Sequence, residues 1–344
     1  MCLRDTAHIT EMRLAAVAKA CVDSGQVHHV AVKSMTLCFT KNLPTALVAC
    51  LAAVTLLSGC DFGTAPHATG VSLLITANFG NEELGSVNEH SVGGNETALS
   101  QLEAHFRVKT GPNGNRVVSI DGYRARKGFT WSLFIDGVAP TGLPGKSGLS
   151  AGEKVWWDLR PTAGAETVPA VVGSWPQPFI TGSSGQEFPT LINCASQSTA
   201  ACDHVQKVLE KLGVKASEQA FGAGSGDDSL SVVIAPFSVQ RGIIAAELIQ
   251  AGPASSGVYA RFVNPRGSVL ELLNGVGQVV QTLRGNVGLI AATQEQDLTA
   301  PVWVITGTDA AGVNLAAQAF NAKDLGNHYA VVVTAGGVTA LPAP

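Results

Sequence analysis

FTWSLFI (129–135) and KVWWDL (154–159) decide how the first half of this 344-residue chain is read. Side chains along a strand point alternately to opposite faces. Phe129, Trp131, Leu133 and Ile135 therefore share one face of the first run, and Val155, Trp157 and Leu159 share one face of the second. The opposite faces carry Thr130, Ser132, Asp136, Lys154 and Asp158, with two aromatics among them, Phe134 and Trp156. The apolar faces need a cover. TALSQLEAHF (97–106) supplies one, because Leu99, Leu102 and Phe106 fall on one side of a helix. Aromatics on an otherwise polar face can mark a binding surface. Phe134 and Trp156 are thus candidates for ligand or partner binding, or for packing against a second domain.

Around these runs, VSLLITA (71–77) and RVVSID (116–121) read as strands, and 78–96 as a long polar loop. The order β, loop, α, then several strands predicts an α+β, grasp-like domain over 71–161, with one helix on a mixed sheet. Residues 162–170, TAGAETVPA, read as a linker, and 171–344 as a second domain.

Trp131 to Gly137, WSLFIDG, and Gly152 to Trp157, GEKVWW, together resemble the transcobalamin C-terminal-like domain. That family shows an aromatic, then Val-Asn-Gly, and later Gly-Asp, an apolar residue and Trp. This chain has Asp136 where Asn is usual and Glu153 where Asp is usual. The resemblance spans roughly 71–160 and looks like that of actinobacterial lipoproteins that join such a domain to an α/β domain. It implies a grasp-like fold and a corrinoid or cobalamin-like ligand, although fold alone does not carry function.

In the second half, strands and helices alternate. PTLINCA (189–195), SLSVVIAPF (229–237) and GVYARFV (257–263) read as strands, and VKASEQA (214–220) as a weaker one. ACDHVQKVLEKLG (201–213) and QRGIIAAELIQAG (240–252) read as helices stopped by glycine. The order is βαββαβ, a ferredoxin-like unit in an α/β domain. A hairpin over 269–283 with its turn near Asn274-Gly275, strands at 289–294, 302–307 and 328–336, and a helix opening at Asp309 follow.

Location comes from KNLPTALVACLAAVTLLSGC (41–60). A basic start, a short apolar core and small residues at the end are the order of a secretory signal. As a helix the core is about 18 Å long, short of the roughly 30 Å of hydrocarbon. Leu57-Ser58-Gly59-Cys60 resembles the lipobox of bacterial lipoproteins. The resemblance implies a diacylglyceryl group on Cys60, cleavage before it, and a protein held on the outer face of the cytoplasmic membrane. An uncleaved anchor or an ordinary signal with an incidental Cys are the alternatives. Starting at Met35 makes the signal 35–59; residues 1–34, with mixed charges, then read as a mis-annotated extension. Residues 60–70 are a tether with a reach of about 17 Å as a flexible coil.

Residues 60–344 carry 17 Lys and Arg against 23 Asp and Glu, a net charge of −6. That balance points away from nucleic acid, and no basic run suits anionic lipid. Cys194 and Cys202 are the cysteines left beyond Cys60. Outside the cytoplasm such a pair most simply forms a disulfide, with two buried thiols as the alternative.

Catalytic patterns are missing from the sequence. There is no G-x-S-x-G around Ser147 or Ser184, and no metal-spaced pair among His67, His90, His105, His204 and His328. Gly222 to Gly226 fails the dinucleotide fingerprint, since Asp227 stands at the third glycine position, and Asp227-Asp228 is too small a set for calcium. Gly307, Thr308 and Asp309 end a buried strand at a helix N-terminus, a candidate anion site unless Asp309 caps its own helix. No cofactor and no metal are expected. The sequence points to a lipid-anchored, non-enzymatic protein that binds a small-molecule ligand or a membrane transporter, or else serves as an interaction module of the cell envelope.

Overall fold

In the first half, β1 (Ser72–Ala77), β2 (Glu82–Asn88), α1 (Ala98–His105), β3 (Val108–Thr110), β4 (Val117–Ile120), β5 (Tyr123–Arg124), β6 (Phe129–Ile135) and β7 (Lys154–Pro161) follow in chain order. The structure, a computed structural model, describes residues 70–114, 116–182, 185–223, 229–264, 266–295 and 298–344. Four strands form a mixed sheet in the order β2-β1-β7-β6, in which β1 and β7 are parallel and the other pairs antiparallel. β3, β4 and β5 form a separate antiparallel sheet.

α1 begins where its sequence says it should. The Thr97 hydroxyl accepts from the Ser100 N–H at 3.1 Å and the Ser100 hydroxyl accepts from the Thr97 N–H at 2.8 Å, a capping box that satisfies two free helix donors. α1 lays Leu102, with Leu99 and Phe106 beside it, on Leu73, Ile75, Trp131, Leu133, Val155 and Trp157. The faces read from the alternation of β6 and β7 are the faces the chain uses, except at Phe129, which opens β6 at 42% exposure instead of lying under α1.

β2 is a departure from expectation, since 78–96 reads as loop. Its residues are polar because β2 is an edge strand with one face in solvent; only Leu84 and Val87 turn toward the core.

The second half contains β8 (Thr190–Cys194), α2 (Thr199–Lys211), β9 (Ala216–Ala220), β10 (Leu230–Ile234), α3 (Phe237–Gln240), α4 (Ile244–Ala251), α5 (Pro253–Ser256), β11 (Ala260–Phe262), β12 (Val269–Leu273), β13 (Val279–Arg284), β14 (Gly288–Thr293), β15 (Val302–Gly307), α6 (Ala310–Gln318), α7 (Ala322–Leu325), β16 (Ala330–Thr334) and β17 (Gly337–Leu341). Seven strands form one mixed sheet, β17-β16-β14-β15-β10-β8-β9. β9, β8, β10 and β15 run parallel, while β14, β16 and β17 join antiparallel. The chain as a whole is mixed α+β.

This pairing differs from the ferredoxin-like pattern in two respects. β9 pairs directly with β8 instead of being separated from it by the third strand, and β11 leaves the large sheet to pair with β12 and β13. Two glycines with positive φ lie on the path into β11. Gly252 (φ 95°) and Gly257 (φ 76°) break the helical run into short pieces.

Helices α2 and α6 cover one face of the seven-stranded sheet, with Val205, Leu209, Val313 and Phe320 on Ile192, Val232 and Trp303. The other face meets α4, the β11–β13 sheet and, from the first half, Phe79, Phe134 and Trp156. Residues 162–170, read as a linker, put Ala165 and Val168 into this contact and leave Ala163, Glu166 and Thr167 exposed. All described residues fall in one compact unit.

Candidate functional site

Phe134 and Trp156 are cross-strand partners on β6 and β7, which puts them side by side on the face away from α1. They are 0% and 2% exposed. Tyr329, just before β16, places its ring 5.5 Å from each, edge-on to both. Phe79 reaches Tyr259 at 5.0 Å and Tyr329 at 5.1 Å. The contact is close enough to require glycine. A Cβ on Gly80 would stand 1.9 Å from the Asn327 carbonyl, and one on Gly173 would stand 2.6 Å from the His328 nitrogen.

The polar residues of the same face are buried with the aromatics. Asp158 accepts from the Thr76 hydroxyl at 2.7 Å, the Tyr329 hydroxyl at 2.9 Å, and the Phe79 and Gly80 N–H groups at 3.1 Å each. Trp156 Nε1 donates to the Thr76 hydroxyl at 2.7 Å. Arg160, one step further along the strand face, donates to the Ser132 hydroxyl at 2.8 Å and to the carbonyls of Pro161, Ala165 and Glu166. Burial raises the Asp158 carboxyl, against the pull of its donors, and holds the Tyr329 hydroxyl well above its ordinary value. The face that reads as polar is therefore an internal seam. The reading of Phe134 and Trp156 as an open ligand surface is corrected here: what covers them is the second half of this chain.

Asp136 and Gly137, which carry part of the transcobalamin-like resemblance, both lie in the left-handed region (φ 53° and 82°). Asp136 turns its carboxylate inward, where it accepts from the Lys154 N–H at 2.8 Å and the Thr181 hydroxyl at 2.6 Å. Burial pushes its pKa up to about 7. Glu153 accepts from the Ser150 N–H at 2.9 Å, and the Lys154 ammonium donates to the Trp175 carbonyl. These motif residues close a turn and join it to 175–181.

Gly307, Thr308 and Asp309 form a helix cap, the alternative to an anion site. Asp309 Oδ1 accepts from the Gly312 N–H at 2.8 Å and Oδ2 from the Asn286 N–H at 2.7 Å, while the Thr308 hydroxyl accepts from the Val287 N–H at 3.1 Å. The carboxylate caps its own helix through the Gly312 N–H and so places a negative charge where an anion would otherwise sit. A Cβ on Gly307 would meet the Val287 carbonyl at 2.7 Å, so glycine is there for close approach.

Cys194 and Cys202 are joined, with S–S 1.99 Å, and tie the end of β8 to the first turn of α2. Among the described residues, no group of three or more His, Cys, Asp or Glu is placed to hold a metal ion, and no helix is long and apolar enough to cross a membrane. The signal-like stretch 41–60 with Cys60, Ser184, 224–226 and Asp227-Asp228 lie outside the described residues.

One surface was missed by reading charge over the whole chain. Six of the 17 cations in 60–344 fall within 107–127, against a single carboxylate, Asp121. They are Arg107, Lys109, Arg116, Arg124, Arg126 and Lys127, all exposed on or beside the β3–β5 sheet. Arg107 is matched to Asp121: its N–H donates at 2.9 Å and its guanidinium at 3.3 Å, which holds the carboxyl below its usual range. The other five form no ion pair among the described residues. Arg124, Arg126 and Lys127 line a surface depression of about 640 Å³ together with Tyr123 and Leu159. A count of charge in a sliding window would have found it.

No family model matches this chain, and no curated protein matches it. Among solved structures, one from Ruminococcus gnavus, called a "putative metal binding protein", is similar to it at 12% identity over 27% of this chain and 97% of that chain. Its TM-score of 0.23 carries no argument.

Proposed function

We propose that this chain is a lipid-anchored, non-enzymatic interaction module on the outer face of the cytoplasmic membrane. The observation that carries the choice is the packing of Phe134 and Trp156 against Tyr329. A corrinoid carrier of the kind the resemblance implies would want an open aromatic face, and here that face is filled from within. The buried carboxylates support a non-catalytic role. Asp136, Asp158 and Glu153 each accept from backbone N–H or hydroxyl groups that hold the fold together. The order of 41–60, ending Leu-Ser-Gly-Cys, supports the anchor. We read the first half as grasp-like, from its single helix on a mixed four-stranded sheet. Its partner is an envelope component or a membrane transporter.

The test is fractionation of cells that express the full chain or its Cys60→Ser variant. Two acyl chains bury apolar surface at about 0.8 kcal/mol per methylene, so one residue accounts for stable attachment. The variant should leave the membrane fraction under a high-salt wash; retention there contradicts the anchor. A thermal shift of the native protein on addition of cobalamin would contradict the interaction reading, since binding to the native state alone raises the midpoint.

A further inference from the structure

We propose that the β3–β5 sheet is a docking surface for anionic phospholipid. It rests on the lipid-anchor reading only for its setting, since the surface itself is built from described residues. The register sets the geometry. Lys109, Ser119 and Arg124 are paired directly across β3, β4 and β5, so the two cations share one face on either side of Ser119. The chain then leaves β5 through Ala125, and Arg126 and Lys127 follow at once on the rim of the same depression.

Five cations with no ion pair among the described residues make a local positive field on a chain whose remaining charge is negative. Two apolar groups sit among them. Tyr123 is 47% exposed and Phe129 is 42% exposed, and the Arg126 guanidinium lies 5.9 Å from the Phe129 ring centroid. Cations interleaved with exposed aromatic rings suit a headgroup layer, where phosphates meet the charge and rings settle at the interface. A nucleic acid would feel the negative charge of the rest of the molecule over its length, whereas a bilayer meets only the face turned to it.

The test uses residues 64–344, the compact unit, which lacks Cys60 and so separates this surface from the anchor. Its partition is measured on vesicles of phosphatidylcholine and on vesicles of phosphatidylcholine mixed with phosphatidylglycerol. The protein should prefer the anionic vesicles, and added salt should weaken the preference. Arg124→Gln, Arg126→Gln and Lys127→Gln together should lower the partition roughly a hundredfold, about fivefold per cation, with an unchanged melting midpoint. Lys207→Gln with Lys211→Gln, on exposed α2, should change it little. Equal binding to both vesicles, or a triple variant that binds as well as the parent, overturns the proposal. So does a preference for soluble polyphosphate or RNA over vesicles, or full competition by inorganic phosphate, either of which would make the surface a site for a soluble anion. If vesicles bind as expected while Cys60→Ser stays on membranes, the anchor reading alone fails.

Discussion

Two surfaces of the first half carry similar chemistry and end in opposite places. The face of β6 and β7 with Phe134, Trp156, Asp158 and Arg160 mixes aromatic rings with charge and is buried. The β3–β5 sheet with Tyr123, Arg124, Arg126 and Lys127 also mixes rings with charge and is exposed. The difference lies in the partners. Each charged group of the buried face meets hydrogen-bonding partners supplied by the chain, four donors to Asp158 and four acceptors to Arg160. Such matching is what makes burial of charge tolerable. The cations of the exposed sheet find one carboxylate among them, and Arg107 takes it. Polar-with-aromatic composition therefore does not mark a binding face; the supply of internal partners does.

The largest effect that would break this contrast comes from the tryptophans. Trp157 faces α1 and Trp156 faces Tyr329, and both are buried. Trp157→Ala and Trp156→Ala should each cost about 3–5 kcal/mol in chemical unfolding of the whole molecule. Were Trp156→Ala nearly neutral, that face would be open and the contrast lost.

A pH series sharpens it. Asp136 has a folded pKa of about 7, above the ordinary 3.8, because it is buried. Its contribution to stability is then fully present below the unfolded value and is lost as pH rises through the folded one. Between about pH 4 and 7 it should lower stability by no more than about 4 kcal/mol. Asp136→Asn should flatten that part of a melting curve taken against pH. An unchanged slope would show that the carboxyl is solvated.

A smaller effect belongs to the second half. Loss of the Cys194–Cys202 bond should cost about 2.5 kcal/mol in the chain-entropy model. Cys202→Ser should show it in denaturant unfolding, and alkylation of both thiols in unreduced native protein would rule the bond out.

How much of this was legible beforehand follows from which interactions are local. The alternation of β6 and β7, the helix read over 97–106 and found over 98–105, and the pairing of two lone cysteines are short-range patterns, and the sequence shows them. β2 was missed because an edge strand has little apolar periodicity. The departure of β11 from the large sheet was missed because strand patterns do not say which sheet a strand joins. Phe134 and Trp156 were placed on the right face, but their cover, Tyr329, lies 173 residues beyond Trp156 in the chain. The cap at Asp309 was readable as a residue type, and only geometry shows that Asp309 also holds the Asn286 N–H. The basic sheet was hidden by averaging charge over the whole chain.

The account stands most directly on the seam between the halves, and the hydrogen bond from the Tyr329 hydroxyl to Asp158 crosses it at 2.9 Å. A double-mutant cycle of Asp158→Ala and Tyr329→Phe, read by denaturant unfolding, isolates that contact, since neither replacement keeps its half of the hydrogen bond. The account predicts a coupling free energy of about 1 kcal/mol or more, as for a buried hydrogen bond to a charged or strongly polar group. Strictly additive losses would mean that the two side chains do not meet, and that the aromatic face of the first half is free.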